Sequence, residues 1–334
     1  MSRVDNFLII GSGSMARRHS QNLRQLFPKS KIGNLPGSSS NSNIENSLVD
    51  ELFQSPEEAR KFKPKFVVVA SSANLHLTNA AEFLQYDIPT LIEKPLCKDL
   101  EEFKKFKRLL FSKKNLLDFG YCLRYQEGAL KFKEIISSRI LGKEHSIMVD
   151  VGQYLPEWRP GLDYKKSVSA NKSLGGGVLL ELSHELDYLN WIFGIPDSVF
   201  CNILSIGNLD IDVEDNIDAI LMKSRGCNIN LHMDFLQKPP TRFCKVIGEN
   251  GVLIWNLLEN SISLENKNEK KTLFEEPDLD RNKMFLDMLS RFSILANGEL
   301  NPLISLEEAL NVMHLISGLE QSHLQRCAID IKRI

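Results

Sequence analysis

Near the start of the chain a short apolar run, Phe7 to Ile10, stops at Gly11-Ser12-Gly13-Ser14-Met15-Ala16, and Ala16 to Phe27 then carries helical spacing. Lys31 to Leu35 reads as a second strand, Pro56 to Phe62 as a helix, Leu77 to Gln85 as another helix and Thr90 to Ile92 as a short strand. Phe66-Val67-Val68-Val69-Ala70 is apolar at every position, as a parallel strand covered on both faces must be. Strands and helices alternate, so the first part is expected to be a doubly wound parallel sheet with right-handed crossovers.

Beyond about residue 120 the pattern changes. Asn228 to Phe235 alternates polar with apolar, the mark of a strand with one covered face, and Val199–Ile206, Ala219–Lys223, Phe243–Ile247, Val252–Trp255 and Ser261–Leu264 are further strand candidates. Val178 to Phe193, Arg281 to Leu295 and Leu306 to Ile329 have helical spacing. The expected division is a dinucleotide-binding domain over 1–120 and an α/β domain with a large, open, mostly antiparallel sheet over 121–334. The half-apolar strand at 228–235 implies that the open face pairs with a second subunit, as a homodimer or homotetramer.

Composition narrows the partners. In 334 residues, 41 Lys plus Arg stand against 43 Asp plus Glu, which gives no pull toward nucleic acid. No apolar run nears the ~20 residues of a membrane span, and no secretory leader is recognisable, so a soluble, cytoplasmic protein is expected. The 6 cysteines are scattered without CxxC pairs or His/Cys clusters, so buried thiols are expected, with neither disulfides nor a metal site.

The chemistry begins at the glycine turn. Gly11 permits a tight turn, Gly13 lets a pyrophosphate approach the backbone, and Ala16 stands where a third glycine would pack the helix, whose free amides then hold phosphate. NAD sites usually place Asp or Glu about twenty residues on; this chain has Gly37-Ser38-Ser39-Ser40. That uncharged, hydroxyl-rich loop tilts the reading toward NADP, with NAD kept open and a loop touching nothing as the alternative. Lys94, between Glu93 and Pro95 at the end of a strand, can hydrogen-bond a carbinol or carbonyl oxygen and exchange a proton, or simply pair with Glu93 at the surface. Gly175-Gly176-Gly177 leads into a helix on which Glu181, His184, Asp187, Tyr188 and Trp191 share a third of the circumference. There His184 can relay a proton with Asp187 orienting it; a solvated polar face is the other reading.

These residues resemble the Gfo/Idh/MocA family of glucose-fructose oxidoreductase and inositol dehydrogenase. The matching elements are Gly11-Ser12-Gly13-Ser14-Met15 with Arg18-His19, Asn74-Leu75-His76, Glu93-Lys94-Pro95-Leu96, Arg124-Tyr125, Ile140-Leu141-Gly142, and Gly175-Gly176-Gly177 with His184 and Asp187, in family order. The resemblance implies a Rossmann domain, a C-terminal α/β domain and hydride transfer between NAD(P) and a sugar or cyclitol, with Lys94 and His184 as the acid/base pair. The cofactor contacts expected on these readings together are Gly11 to Met15, Ser38, Ser39, Ser71, Asn74, His76, Glu93 and Lys94. Family members commonly carry Asp four positions before the histidine. Here that position is Leu180, and the acid is Glu181, three before.

The stretches Tyr154 to Tyr164 and Leu180 to Tyr188 look like the branch found with bacterial surface-sugar biosynthesis. Trp158 and Tyr164 can stack on a sugar or base, Arg159 and Lys165 can hold a phosphate or carboxylate, and Arg124 and Tyr188 complete the expected substrate contacts; aromatic packing over the sheet is the alternative. A dinucleotide-binding sensor of the same fold is the second functional class, which retention of Lys94 and His184 argues against. Reduction of an imine or tetrapyrrole is a third, which would need a more apolar pocket.

Overall fold

A computed structural model describes residues 5–37, 47–224 and 226–332. Ser38 and Ser39, expected at the cofactor, lie outside the described residues. The first sheet has six parallel strands: β1 (Asn6–Ile10), β2 (Lys31–Leu35), β3 (Glu51–Leu52), β4 (Phe66–Val69), β5 (Thr90–Ile92) and β6 (Leu117–Phe119). Their order, β3-β2-β1-β4-β5-β6, reverses direction between β1 and β4, which is the doubly wound arrangement with a ligand crevice at the carboxyl ends of those two strands. Every residue of β4 is fully buried, as its uninterrupted apolar run requires. Helices α1 (Ser14–Leu26), α2 (Pro56–Lys61), α3 (His76–Leu84) and α4 (Leu100–Ser112) alternate with the strands. Two of them start on side-chain caps, with Ser55 accepting from the Glu58 amide and Asp99 from that of Glu102.

The second sheet has nine strands: β7 (Glu144–Gly152), β8 (Ser198–Leu204), β9 (Asn216–Met222), β10 (Ile229–Asp234), β11 (Thr241–Gly248), β12 (Gly251–Asn256), β13 (Ser261–Glu265), β14 (Lys270–Glu275) and β15 (Ile329–Asp330). In the order β14-β13-β12-β11-β7-β10-β9-β8-β15, only β7 and β10 pair in parallel. One face packs on the helices α5 (Glu127–Ser137), α6 (Val178–Glu181) and α7 (Ser183–Phe193), burying Ile147, Val149, Leu231 and Trp255. The other face presents Met148, Phe200 and Ile220 at 41%, 42% and 39% exposure, around a shallow depression of 470 Å³ that also holds His232 and Phe243.

Several elements depart from the sequence reading. β7 and β14 have no counterpart among the expected strands, although Ile147, Val149 and Val151 carry the period-two burial of β7. The helix expected over 178–193 is broken at Leu182, which sits in the bridge region at φ −94°, ψ 21°. A single helical wheel therefore does not describe Glu181 together with His184. The last helix, α9 (Leu306–Gln325), stops short of Ile329 because Arg326 turns left-handed at φ 55°. All six thiols are free, but Cys327 is exposed where burial was expected, since it follows that turn.

The chain divides into two compact units, one of residues 1–122 and 281–313, the other of 123–280 and 314–334. The division expected at 120/121 therefore misses a return of the chain. The helix α8 (Lys283–Leu295) belongs to the first unit: Phe292 meets Phe66 edge-on at 5.2 Å, and Asn22 and Asn282 exchange side-chain hydrogen bonds. Which core an amphipathic helix joins is not written in its own periodicity.

Candidate functional site

In the first unit the glycine turn connects β1 to α1. Gly11 has φ +116°, and a Cβ there would stand 2.4 Å from the Ala70 carbonyl oxygen at the end of β4. The turn is pinned from beneath by Asn34, whose amide donates to the carbonyls of Ile9 and Gly11 at 3.0 and 2.8 Å, a support the sequence reading did not find. Above Gly13, at the start of α1, a Cβ would meet nothing within 4 Å, and the first turn of α1 carries no acidic residue. Amides of Gly13, Ser14 and Met15 at an unobstructed helix N-terminus fit the pyrophosphate of a dinucleotide. Ser12 and Ser71 lie beside the turn, the latter accepting from Asn79 through its hydroxyl, and the Asn74 side chain accepts from Ser72.

The Glu93-Lys94-Pro95 turn follows β5 on the same carboxyl edge. Glu93 is buried, and its Oε1 lies 2.7 Å from Nε2 of the fully buried His19 on α1. Its Oε2 accepts from the Lys94 amide at 3.2 Å. Burial pushes the Glu93 carboxyl up, but the His19 hydrogen bond and the charges of His19, Lys94 and His76 outweigh it and hold the carboxyl below its usual range. The surface pairing of Lys94 with Glu93 is thus replaced by a buried carboxylate that fixes the lysine's backbone. His76, expected at the cofactor, is buried with Nδ1 2.7 Å from the Pro95 carbonyl and Nε2 3.0 Å from that of Ser71, and burial lowers its pKa. It braces the turn between two strand ends. The role of His19 was invisible because its partner lies 74 residues away.

In the second unit, Gly177 precedes α6 at φ +106°, and a Cβ there would stand 2.3 Å from the Glu214 carboxylate. That carboxylate accepts from the Leu179 amide at 3.1 Å and so satisfies the helix start, while burial raises its pKa. Glu181 closes α6 and His184 lies in the first turn of α7, both half-buried. Asp187, expected to orient His184, receives Arg124 on both oxygens, Nε to Oδ2 at 3.0 Å and Nη2 to Oδ1 at 2.8 Å. The two side chains are 3% and 1% exposed, so Arg124 is corrected from a substrate contact to the partner of a buried carboxylate. Glu185 similarly receives Arg242 at 2.7 Å. Tyr188 is also corrected: its ring is buried edge-on to Trp255 at 5.3 Å, and burial pushes its hydroxyl well above its usual pKa. It is core.

The loop after β7 keeps its aromatic residues together. Trp158 donates to the Gln153 carbonyl at 3.0 Å and meets Phe235 edge-on, and the Tyr164 hydroxyl donates to the Leu209 carbonyl at 2.8 Å. Lys165, offered as a phosphate contact, is committed to Asp210 at 2.6 Å instead. Among the described residues, no group of three or more His, Cys, Asp or Glu side chains is placed to hold a metal ion, and no helix is long and apolar enough to cross a membrane.

Two family models match this chain: the oxidoreductase family's NAD-binding Rossmann fold over residues 6–121, and the GFO/IDH/MocA C-terminal domain over residues 129–254. The scyllo-inositol 2-dehydrogenase (NADP(+)) IolW of Bacillus subtilis is 26% identical over 142 residues, 42% of this chain and 38% of that protein. The rhizopine catabolism protein MocA of Rhizobium meliloti is 24% identical over 129 residues, 38% of each. The matched stretches span between 33% and 40% of these and the other curated relatives reported for the chain. Among solved structures, myo-inositol 2-dehydrogenase from Lactobacillus plantarum aligns with a TM-score of 0.80 at 17% identity, covering 99% of this chain and 100% of that one. The WlbA dehydrogenase from Bordetella pertussis, in complex with NADH and UDP-GlcNAcA, aligns with a TM-score of 0.82 at 17% identity and the same coverage. At such identity the likeness shows the fold.

Proposed function

Since the chain belongs to the Gfo/Idh/MocA oxidoreductase family, with its NAD-binding Rossmann fold at residues 6–121, we propose that it is an NAD(P)-dependent oxidoreductase acting on a carbinol or carbonyl carbon of a sugar or nucleotide-activated sugar. The observation that carries this reading is the edge of the first sheet. A glycine turn open to a pyrophosphate and a lysine held by Glu93, His19 and His76 follow strands of one parallel sheet, on its carboxyl side.

The bound nicotinamide supplies or accepts the hydride. Gly11 to Met15 bind the phosphates, and Lys94 donates to the reacting oxygen. His184 relays the proton, with Glu181 beside it in the chain as the carboxylate available to that relay; Asp187 supports α7 through Arg124. The chain has no acidic residue between Leu35 and Ser42 for the ribose hydroxyls, which favours NADP over NAD. A part in surface-glycan synthesis, in the cytoplasm, accords with the sugar nucleotide bound by WlbA. The open face of the second sheet, with Met148, Phe200 and Ile220 exposed, is read as the seat of a second copy. A monomer at micromolar concentration in sedimentation would contradict that pairing.

Turnover tests the reading. With NAD⁺ or NADP⁺ and a panel of sugars and sugar nucleotides, followed by nicotinamide absorbance, the wild type reduces the cofactor with at least one substrate. Lys94→Ala is expected to lose about 10²–10⁴-fold in kcat while cofactor affinity changes little. Undiminished turnover in Lys94→Ala would remove the lysine from the mechanism.

A further inference from the structure

The loop of the second unit between β7 and α6 encloses a cavity of 280 Å³ whose lining includes Leu155, Trp158, Arg159, Tyr164, Lys166 and Ser167. The polar atoms of both aromatic residues are spent on main-chain carbonyls, so what they offer a ligand is ring surface. Three other groups on the wall lack firm partners. Among the described residues the Arg159 guanidinium makes no hydrogen bond or ion pair, only its carbonyl being engaged, by the Leu162 amide. Among the described residues the Lys166 ammonium meets only the Asp163 carboxylate, at 3.7 Å and largely exposed, a contact of little worth. The buried Ser167 Oγ has no hydrogen-bond partner, a cost that a polar ligand atom would remove. Asp163 spends its Oδ1 on the Lys165 amide, so two cations face one engaged carboxylate. Leu162, 66% exposed, adds apolar surface for a ligand to cover.

We propose that this cavity binds the nucleoside diphosphate end of an activated sugar, the base against Trp158 and Tyr164 and the phosphates on Arg159 and Lys166. The proposal rests on the sugar oxidoreductase reading above and names the substrate class within it. Size agrees: drug-sized sites run from about 300 to 1,000 Å³, so 280 Å³ takes one end of a sugar nucleotide and leaves the sugar outside. The cavity is also tied to the proton relay. Ser169, on its wall, accepts through its carbonyl from the Gly177 amide at 3.1 Å, and Gly177 opens the helical segment that leads to His184.

The test uses the full chain saturated with NADH, so that the glycine turn is filled. UDP, GDP, uridine and inorganic pyrophosphate are titrated by calorimetry and by tryptophan fluorescence. A nucleoside diphosphate is expected to bind more tightly than uridine or pyrophosphate and to change Trp158 emission. Arg159→Met should weaken diphosphate binding about 10-fold with uridine nearly unchanged, and Arg159→Lys should restore part of it. Trp158→Leu should weaken UDP and uridine alike. The proposal falls if no nucleoside diphosphate binds, if pyrophosphate binds as tightly, or if both variants match the wild type. Turnover of a free sugar without diphosphate binding would sink this subsite and leave the oxidoreductase reading standing; diphosphate binding with no turnover of any activated sugar would do the reverse.

Discussion

Asp187→Ala would leave the Arg124 guanidinium inside the second unit without the carboxylate that receives two of its N–H groups. The side chains are 3% and 1% exposed and the bonds measure 3.0 and 2.8 Å, so solvent screens almost none of the interaction. Breaking one side of a buried, hydrogen-bonded ion pair costs about 3–5 kcal/mol, because the remaining charge stays desolvated. The Trp191 ring, 5.4 Å from the guanidinium, is in place with or without the carboxylate and does not offset the loss, so the expected cost stays at about 3–5 kcal/mol. Against a typical domain stability of about 5–15 kcal/mol, that is a large fraction. All 3 tryptophans, Trp158, Trp191 and Trp255, lie in the second unit, so urea unfolding followed by tryptophan fluorescence reports it directly. The midpoint should fall sharply in Asp187→Ala and recover in the combination of Arg124→Met with Asp187→Leu, which removes both charges. A loss under about 1 kcal/mol would refute the account and return Asp187 to the catalytic role that its place in the sequence suggested.

Two further outcomes follow from the first unit. Gly11→Ala forces a Cβ to within 2.4 Å of the Ala70 carbonyl at φ +116°, so it should destabilise by about 1–3 kcal/mol and weaken NADH binding in a fluorescence titration; unaltered affinity would exclude the glycine turn as the phosphate site. Asp118 concerns pH. Burial pushes its carboxyl up to about 6, only partly offset by the amides of Leu303, Phe119 and Ile304. The folded chain therefore holds this proton more tightly than the unfolded one, whose carboxyl titrates near 3.8. Its contribution is full below about pH 4 and lost as pH rises through about 6, a change of about 3 kcal/mol. Asp118→Asn should flatten that part of the stability profile in thermal melts between those values; an unchanged slope would reject the assignment.

What could be read from the chain alone was what local pattern determines. The all-apolar Phe66 to Val69, the glycine turn after Phe7 to Ile10, and the lysine before Pro95 each declare themselves within a few residues, and each occupies the expected element. Misplaced residues were those whose environment comes from elsewhere. Tyr188 and Arg124 read as substrate contacts, and Asp187 as the group orienting His184, because nothing nearby shows that Trp255 encloses the tyrosine and that the other two enclose each other. His19 and Glu93 meet across 74 positions, and Glu214 reaches back 35 positions to the start of α6. The helix expected over 178–193 had the right spacing for one rod; the bend at Leu182 is a backbone event that periodicity does not encode.

The return of residues 281–313 to the first unit means that this dinucleotide-binding half is not severable at its apparent border. A fragment ending at Cys122 would bare the side of Phe66 that Phe292 covers, together with the edge of His19 that Phe285 meets. On the ribosome the same surface stays uncovered until almost nine-tenths of the polypeptide has emerged, so the half begun first is completed only after most of the other has been made. Its window of stickiness is set by how quickly the intervening domain is synthesised and collapses.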